Sequence, residues 1–183
     1  MTALSSLLAR TLPRRNPWIR RPARVPLRAY GRGAVCDFRR YFEGESIVPV
    51  RSLDDVRQWL KGCTYVTDPQ LFGCADYWQH PCAFEQSRAG DCEDFALWAW
   101  RKMVHLGYDA EFIAGRIVDA CGEHRGHTWI LFRSDGTVFL FDPVLAQRAL
   151  MVMPLRMVRD SYIPEVSVGP DLKRYAYTGC LVR

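Results

Sequence analysis

The amino-acid sequence predicts an α+β fold in which helices come first and antiparallel strands follow. Three stretches carry that expectation. Phe95 to Met103 reads FALWAWRKM, apolar on nearly every side, as a helix enclosed by a core does. Tyr108 to Val118 alternates with the period of a strand. HTWILFR and TVFLFD then flank Ser134-Asp135-Gly136, the pattern of a hairpin.

The chain has 183 residues, of which 49% are apolar, enough for one real core with a tail. It holds no run of 18 or more apolar residues, so the sequence indicates no membrane span. Seven cysteines (36, 63, 74, 82, 92, 121 and 180) are an odd, irregularly spaced set. No secretory signal is recognisable, so they read as reduced thiols in a cytoplasmic setting. Charge is divided unevenly: residues 1–33 contain eight arginines and no acid, leaving 17 basic against 20 acidic residues elsewhere.

In chain order, residues 1–45 read as a basic, Arg- and Pro-rich flexible arm and 46–183 as the folded domain. Prolines 13, 17, 22 and 26 disfavour a long helix or strand in that arm. It lacks the apolar core of a signal peptide, although its acid-free composition is similar to that of an organelle transit peptide. A solubilising tail is its simplest role; contact with nucleic acid or an anionic membrane surface is the alternative. Ser52-Leu53-Asp54-Asp55 reads as a capping box with Asp in place of Glu. Leu53, Val56, Trp59 and Leu60 follow at helical spacing, and Gly62 stops the run. CTYVTD is a short extended piece, and Pro81 begins a short helix. Residues 119–126 read as a loop, and 144–158 are ambiguous between helix and strand. SYIPEVSV and KRYAYTG around Gly169-Pro170-Asp171 suggest a second hairpin.

Gly90-Asp91-Cys92-Glu93-Asp94-Phe95-Ala96 places a thiol at the first turn of the apolar helix. Asp91 is the candidate N-cap, and Arg101, Lys102 and His105 suit the negative pole at the far end. The helix start favours an anionic thiol, while Asp91, Glu93 and Asp94 oppose one. A reactive Cys92 therefore demands a cationic partner, and with one it should titrate below the free value. Otherwise Cys92 is a structural thiol behind a capped helix.

The hairpin supplies that partner. A three-residue loop places His127 opposite Pro143 and beside Asp142; a four-residue loop sets it opposite Asp142 itself. Either register brings an imidazole and a carboxylate together. Cys92 as nucleophile, His127 as base and acid, and Asp142 as orienting acid make up a thiol acyl-transfer site. The Cys92 amide is one candidate oxyanion donor; Gln79 and Trp78 are candidates for the second.

These features resemble the transglutaminase-like cysteine protease superfamily. The GDCEDFA helix start, a strand beginning at His127, a strand ending at Asp142 and the Asp76-Tyr77-Trp78-Gln79 lead-in carry the resemblance, which covers roughly residues 50–143. It implies a papain-like α+β fold, with the nucleophile helix packed on an antiparallel sheet or partial barrel. It also implies thiol-dependent acyl transfer on a protein or peptide substrate, as amide hydrolysis or as crosslinking. Some relatives bind calcium beside the nucleophile, and Asp91, Glu93 and Asp94 sit at matching positions. The simpler expectation requires no cofactor: Asp91 caps, Asp94 supports the first turn and Glu93 is solvated.

Two rival readings remain. Cys121, His124 and His127 with Cys92 offer a zinc-type ligand set, though at a spacing unlike common fingers. A non-catalytic binding domain of the same fold is the other. His105 reads as structural at a helix end, and His80 and His124 as exposed. Trp98 and Trp100 read as core.

Overall fold

The computed structural model describes residues 16–35, 37–147 and 151–178. Its centre is α4 (Cys92–His105), preceded by α1 (Leu53–Leu60), α2 (Asp68–Leu71) and α3 (Pro81–Ser87) and followed, late in the chain, by α5 (Leu155–Val158). The strands are β1 (Arg20–Pro22), β2 (Thr64–Tyr65), β3 (Ala89–Gly90), β4 (Ala110–Val118), β5 (His124–Ser134), β6 (Thr137–Phe141), β7 (Val152–Pro154), β8 (Tyr162–Val168) and β9 (Arg174–Tyr177). Seven of them form one sheet in the order β1-β9-β8-β4-β5-β6-β7. Every neighbouring pair in that sheet is antiparallel. β2 and β3 pair separately and in parallel. The expected α+β class, a central helix on an antiparallel sheet, is the architecture found.

Strand alternation explains where α4 sits. Phe112, Ala114, Ile130, Phe132 and Phe141 point to one face and join Phe95–Trp100 and Met103 of α4 in the main core. Ile113, Trp129, Leu131 and Leu140 point to the other face and pack with Met153, Tyr162 and Tyr177. The indole of Trp59 stacks on Trp98 at 4.0 Å, so α1 seals α4 from the side away from the sheet. Ser52 caps α1, its hydroxyl accepting from Asp55 N at 3.1 Å.

The cations near the end of α4 do more than complement its negative pole. Arg101 and Lys102 are buried. Lys102 Nζ lies 2.9 Å from a buried Glu85 oxygen and donates to Val48 O at 2.6 Å. Arg101 donates to Gly44 O at 2.5 Å. The pair thus ties residues 44–48 to the helix. His105 is exposed beyond them, and burial together with Arg101 and Lys102 depresses its pKa.

Three expectations need correction, and one open reading is resolved. From residue 16 onward the segment expected as an arm packs on the domain: β1 is an edge strand on β9, and Tyr30, Phe38 and Tyr41 enter the core. Pro22 is tolerated because an edge strand has one unpaired side. Residues 1–15 lie outside the described residues. The hairpin loop is two residues, not three or four: Ser134 pairs with Thr137, and Asp135 (φ 48°) and Gly136 (φ 73°) both take positive φ, as a type I′ turn requires. The loop expected at 119–126 is shorter, because His124 pairs with Val118 and β5 starts there. The ambiguous 144–158 stretch holds a 3₁₀ turn at Pro143–Gln147, then β7 and α5.

Candidate active site

β3 delivers the chain to the start of α4 by pairing with β2, Tyr65 against Gly90. Gly90 has no room for a side chain: a Cβ there would strike the Asp94 carboxylate and lie 2.7 Å from Gln79 Nε2. Asp94 is fully buried. It accepts from Gln79 N at 2.7 Å, from Gln79 Nε2 at 2.6 Å and from Asp91 N at 3.3 Å. Burial pushes its pKa up to about 7 against the pull of the Gln79 hydrogen bonds. Asp94 therefore supports the first turn, as the sequence suggested. The candidate oxyanion donors are committed elsewhere: Gln79 Nε2 to Asp94 and to Ala89 O at 2.8 Å, and Trp78 Nε1 to Asp76 at 3.0 Å.

Cys92 is half-buried at the first residue of α4. Its thiol donates to Glu93 Oε2 at 3.2 Å. Burial, then the carboxylates of Glu93 and Asp91, push the thiol well above its ordinary pKa, with the neighbouring Thr128 hydroxyl acting the other way. Glu93 itself is only 6% exposed, a correction to the expectation of a solvated side chain. Burial, followed by its contact with Asp91, raises Glu93 to about 10.

Around this thiol the fold gathers more acid than the motif alone contains. Asp68 and Asp76 join Asp91, Glu93 and Asp94 in overlapping groups whose ligand atoms lie within 4.8 Å of one another. The start of α2 and the loop after it bring them in: Asp68, the first residue of α2, accepts from Tyr77 N at 2.5 Å, and Asp76 accepts from Gly33 N at 2.7 Å. Asp68 is 1% exposed, yet its Oδ1 has no hydrogen-bond partner, and neither does the buried Oδ1 of Asp91. Burial, then Asp91 and Asp76, raise the pKa of Asp68. Orphaned carboxylate oxygens converging in one place are the donor set a hard divalent cation takes. No spacing signal marks Asp68, because tertiary packing alone brings it to the helix start.

The imidazole and the second carboxylate meet across β5 and β6. His127 Nε2 lies 2.8 Å from Asp142 Oδ2. Asp142 is 3% exposed; its Oδ1 accepts from Val144 N at 3.1 Å, and its Oδ2 also accepts from the Tyr162 hydroxyl at 2.8 Å. The His127 ring lies nearly parallel to Trp129, their centres 6.2 Å apart, and Trp129 packs edge-on against Tyr162. Thr128, the next residue, projects instead towards the thiol of Cys92. Among the described residues no hydrogen bond joins Cys92 to His127.

The zinc-type set does not assemble. No group of potential metal ligands among the described residues includes a histidine; Cys121 is exposed and His124 contacts Arg116. His80 is not a loose surface group but the N-cap of α3, its Nδ1 accepting from Cys82 N at 3.2 Å. A cavity of about 220 Å³ between Trp18, Arg20, Glu111 and Leu131 contains none of the site residues.

A thiol at the start of a central helix, laid on an antiparallel sheet that carries an imidazole–carboxylate pair, is a papain-like architecture. Residues 47–152 match the family model described as bacterial transglutaminase-like cysteine proteinase. The chain belongs to that family. Among solved structures, Legionella pneumophila LapG is similar at 22% identity, in an EGTA-treated form (TM-score 0.49, 63% of this chain, 60% of that one) and a calcium-bound form (TM-score 0.49, 63% and 62%). A Cytophaga hutchinsonii protein assigned to the cysteine proteases is similar at 14% identity, with a TM-score of 0.41 over 75% of this chain and 39% of that one. The match thus spans about three fifths of the LapG chains. No curated protein matches the chain. No helix among the described residues is long and apolar enough to cross a membrane.

Proposed function

We propose that this protein hydrolyses an amide bond of a protein or peptide through Cys92, His127 and Asp142. The observation that carries the reading is the 2.8 Å contact between His127 and Asp142, on the strand whose next residue, Thr128, adjoins the Cys92 thiol. Cys92 Sγ attacks the carbonyl carbon after yielding its proton to His127. As the C–N bond breaks, the imidazolium returns that proton to the leaving amine, and a thioester remains. His127 then takes a proton from water, whose oxygen attacks the thioester carbonyl, and the thiol leaves with the proton restored. Asp142 holds the ring orientation and stabilises the imidazolium. With Gln79 and Trp78 engaged, the first-turn amide of Cys92 is the proposed oxyanion donor.

The acidic cluster fits a calcium-type cation, which Asp68 would hold together with either Asp91 and Asp94 or Asp76 and Glu93. Such an ion supplies the positive charge that five carboxylates lack, and so lowers the cost of a thiolate at Cys92.

The reading is tested by digesting a denatured proteome with the purified protein and sequencing new N-termini. Wild type should generate them and Cys92→Ala should not. Intermolecular isopeptides in place of new termini would move the assignment to crosslinking. Identical products from wild type and Cys92→Ala would end it.

A further inference from the structure

We infer that Tyr162 is a positioning residue for the imidazole–carboxylate pair, a fourth member that sets how Asp142 meets His127. The inference rests on the proposed role of that pair. Tyr162 lies at residue 162, beyond the 47–152 segment matched by the family. β8 carries it to the far side of β4, where it pairs with Ile117.

The geometry singles it out. Asp142 Oδ2 is shared: the Tyr162 hydroxyl donates to it at 2.8 Å, and His127 Nε2 meets the same oxygen at 2.8 Å. Oδ1 is fixed separately by Val144 N at 3.1 Å. Each carboxylate oxygen is thereby tied down, and Tyr162 is the side chain that fixes the oxygen facing the ring. The phenol is buried and its pKa is raised by that burial, then by Asp142, so it remains a donor. Its ring is itself held edge-on by Trp129 at 5.2 Å. Among the described residues, Asp142 at hydrogen-bond distance and Tyr162, with its ring centre 6.4 Å away, are the titratable groups in direct contact with the imidazole, and the Cys92 thiol is the one the proposed mechanism brings to it.

A second donor on Oδ2 has two physical effects. It fixes the angle at which the carboxylate approaches the ring, and it withdraws charge from the oxygen that stabilises the imidazolium. Removing the hydroxyl leaves a carboxylate that holds the imidazolium more tightly. Strengthening the phenol as a donor does the reverse.

The experiment follows the His127 ring protons by NMR against pH, in the full chain and in two variants: Tyr162→Phe, and 3-fluorotyrosine placed at position 162. The Phe variant should move the His127 titration midpoint up by about half a unit, a ~3-fold change in its protonation constant. Fluorotyrosine, a stronger donor of nearly the same shape, should move it down. Midpoints that stay at the wild-type value in both, with only the melting temperature lowered, would reduce Tyr162 to packing and overturn the inference. If Tyr162→Phe does not fold, the fluorotyrosine result decides alone: a downward shift supports the inference, and an unchanged midpoint overturns it. The reading of His127 as partner of Cys92 is tested apart from this, by the effect of His127→Ala on Cys92 alkylation. Failure there leaves the His127 titration interpretable.

Discussion

The Cys92 thiol donates to the carboxylate of its own sequence neighbour, Glu93, at 3.2 Å. Thiol and carboxyl are both pushed towards their protonated forms, first by burial, then the thiol by Glu93 and the Glu93 carboxyl by Asp91. The helix start offers an anion roughly 0.3–1 kcal/mol at an exposed site, too little to offset two adjacent carboxylates in a buried one. A thiol titrating below the free value was the sequence expectation for a His-paired Cys92; the geometry places an acid on it instead.

Asp91→Asn should therefore quicken alkylation of Cys92. The amide can still cap the helix but no longer opposes a thiolate charge. Iodoacetamide at pH 7 in chelator, read by mass spectrometry of the Cys92 peptide, should show a rate gain of about 10-fold, equivalent to one unit of pKa. An unchanged or slower rate would show that Asp91 does not hold the thiol protonated.

Asp142→Asn should keep the fold and lose most of the activity. The amide can accept from the ring but cannot stabilise an imidazolium, and a drop of about 10²–10⁴-fold is the scale for that loss. Circular dichroism should match wild type while cleavage falls. Full activity in this variant would remove Asp142 from the mechanism.

Much of this was legible from local pattern. The GDCEDFA start, the apolar run behind it and the alternation of β4 to β6 follow from short-range periodicity and capping, and each lies where expected except the start of β5, which reaches back to His124. The Asp135-Gly136 turn was legible too, as the commonest two-residue signal, but reading Ser134 into the loop shifted the register. Asp142 nevertheless reaches His127, because a long β5 and a carboxylate just past β6 span the difference. What no local pattern carried was tertiary. Asp68 and Asp76 approach the thiol only through the packing of α2 and the loop after it, and Tyr162 meets Asp142 only across the sheet. The packing of residues 16–45 was hidden by composition, since a few apolar anchors such as Tyr30 and Phe38 sit among arginines and prolines.

Gly115→Ala should destabilise the sheet. Gly115 pairs with His127, and a Cβ there would collide with Ile163 O and lie 2.7 Å from Trp129 Cη2. The carbonyl belongs to β8 and the indole is fully buried, so neither moves freely. Overpacking of this kind costs about 1–3 kcal/mol, measurable as a lower urea midpoint at unchanged slope. A midpoint equal to wild type would mean that β8 can shift away from β4 at their register break.

The acidic cluster makes stability depend on pH in an unusual direction. Asp94 is raised from 3.8 to about 7 and Glu93 from 4.5 to about 10, so the native state binds protons that the unfolded chain has released. Stability must then fall as pH climbs, for Asp94 between about 4 and 7 and for Glu93 on towards 10. A calcium-type cation needs the ionised carboxylates, so its stabilisation should run the other way. In thermal melts with chelator, the contribution of these groups should lower the melting temperature steadily from pH 5 to pH 8. Added calcium should restore little at pH 5 and much more at pH 8, with magnesium less effective because it demands a tighter octahedral shell. Asp68→Asn removes one of the two orphaned oxygen sets and should shrink the calcium increment at pH 8. A calcium increment of equal size at both pH values, or none at pH 8, would show that the cluster binds no cation.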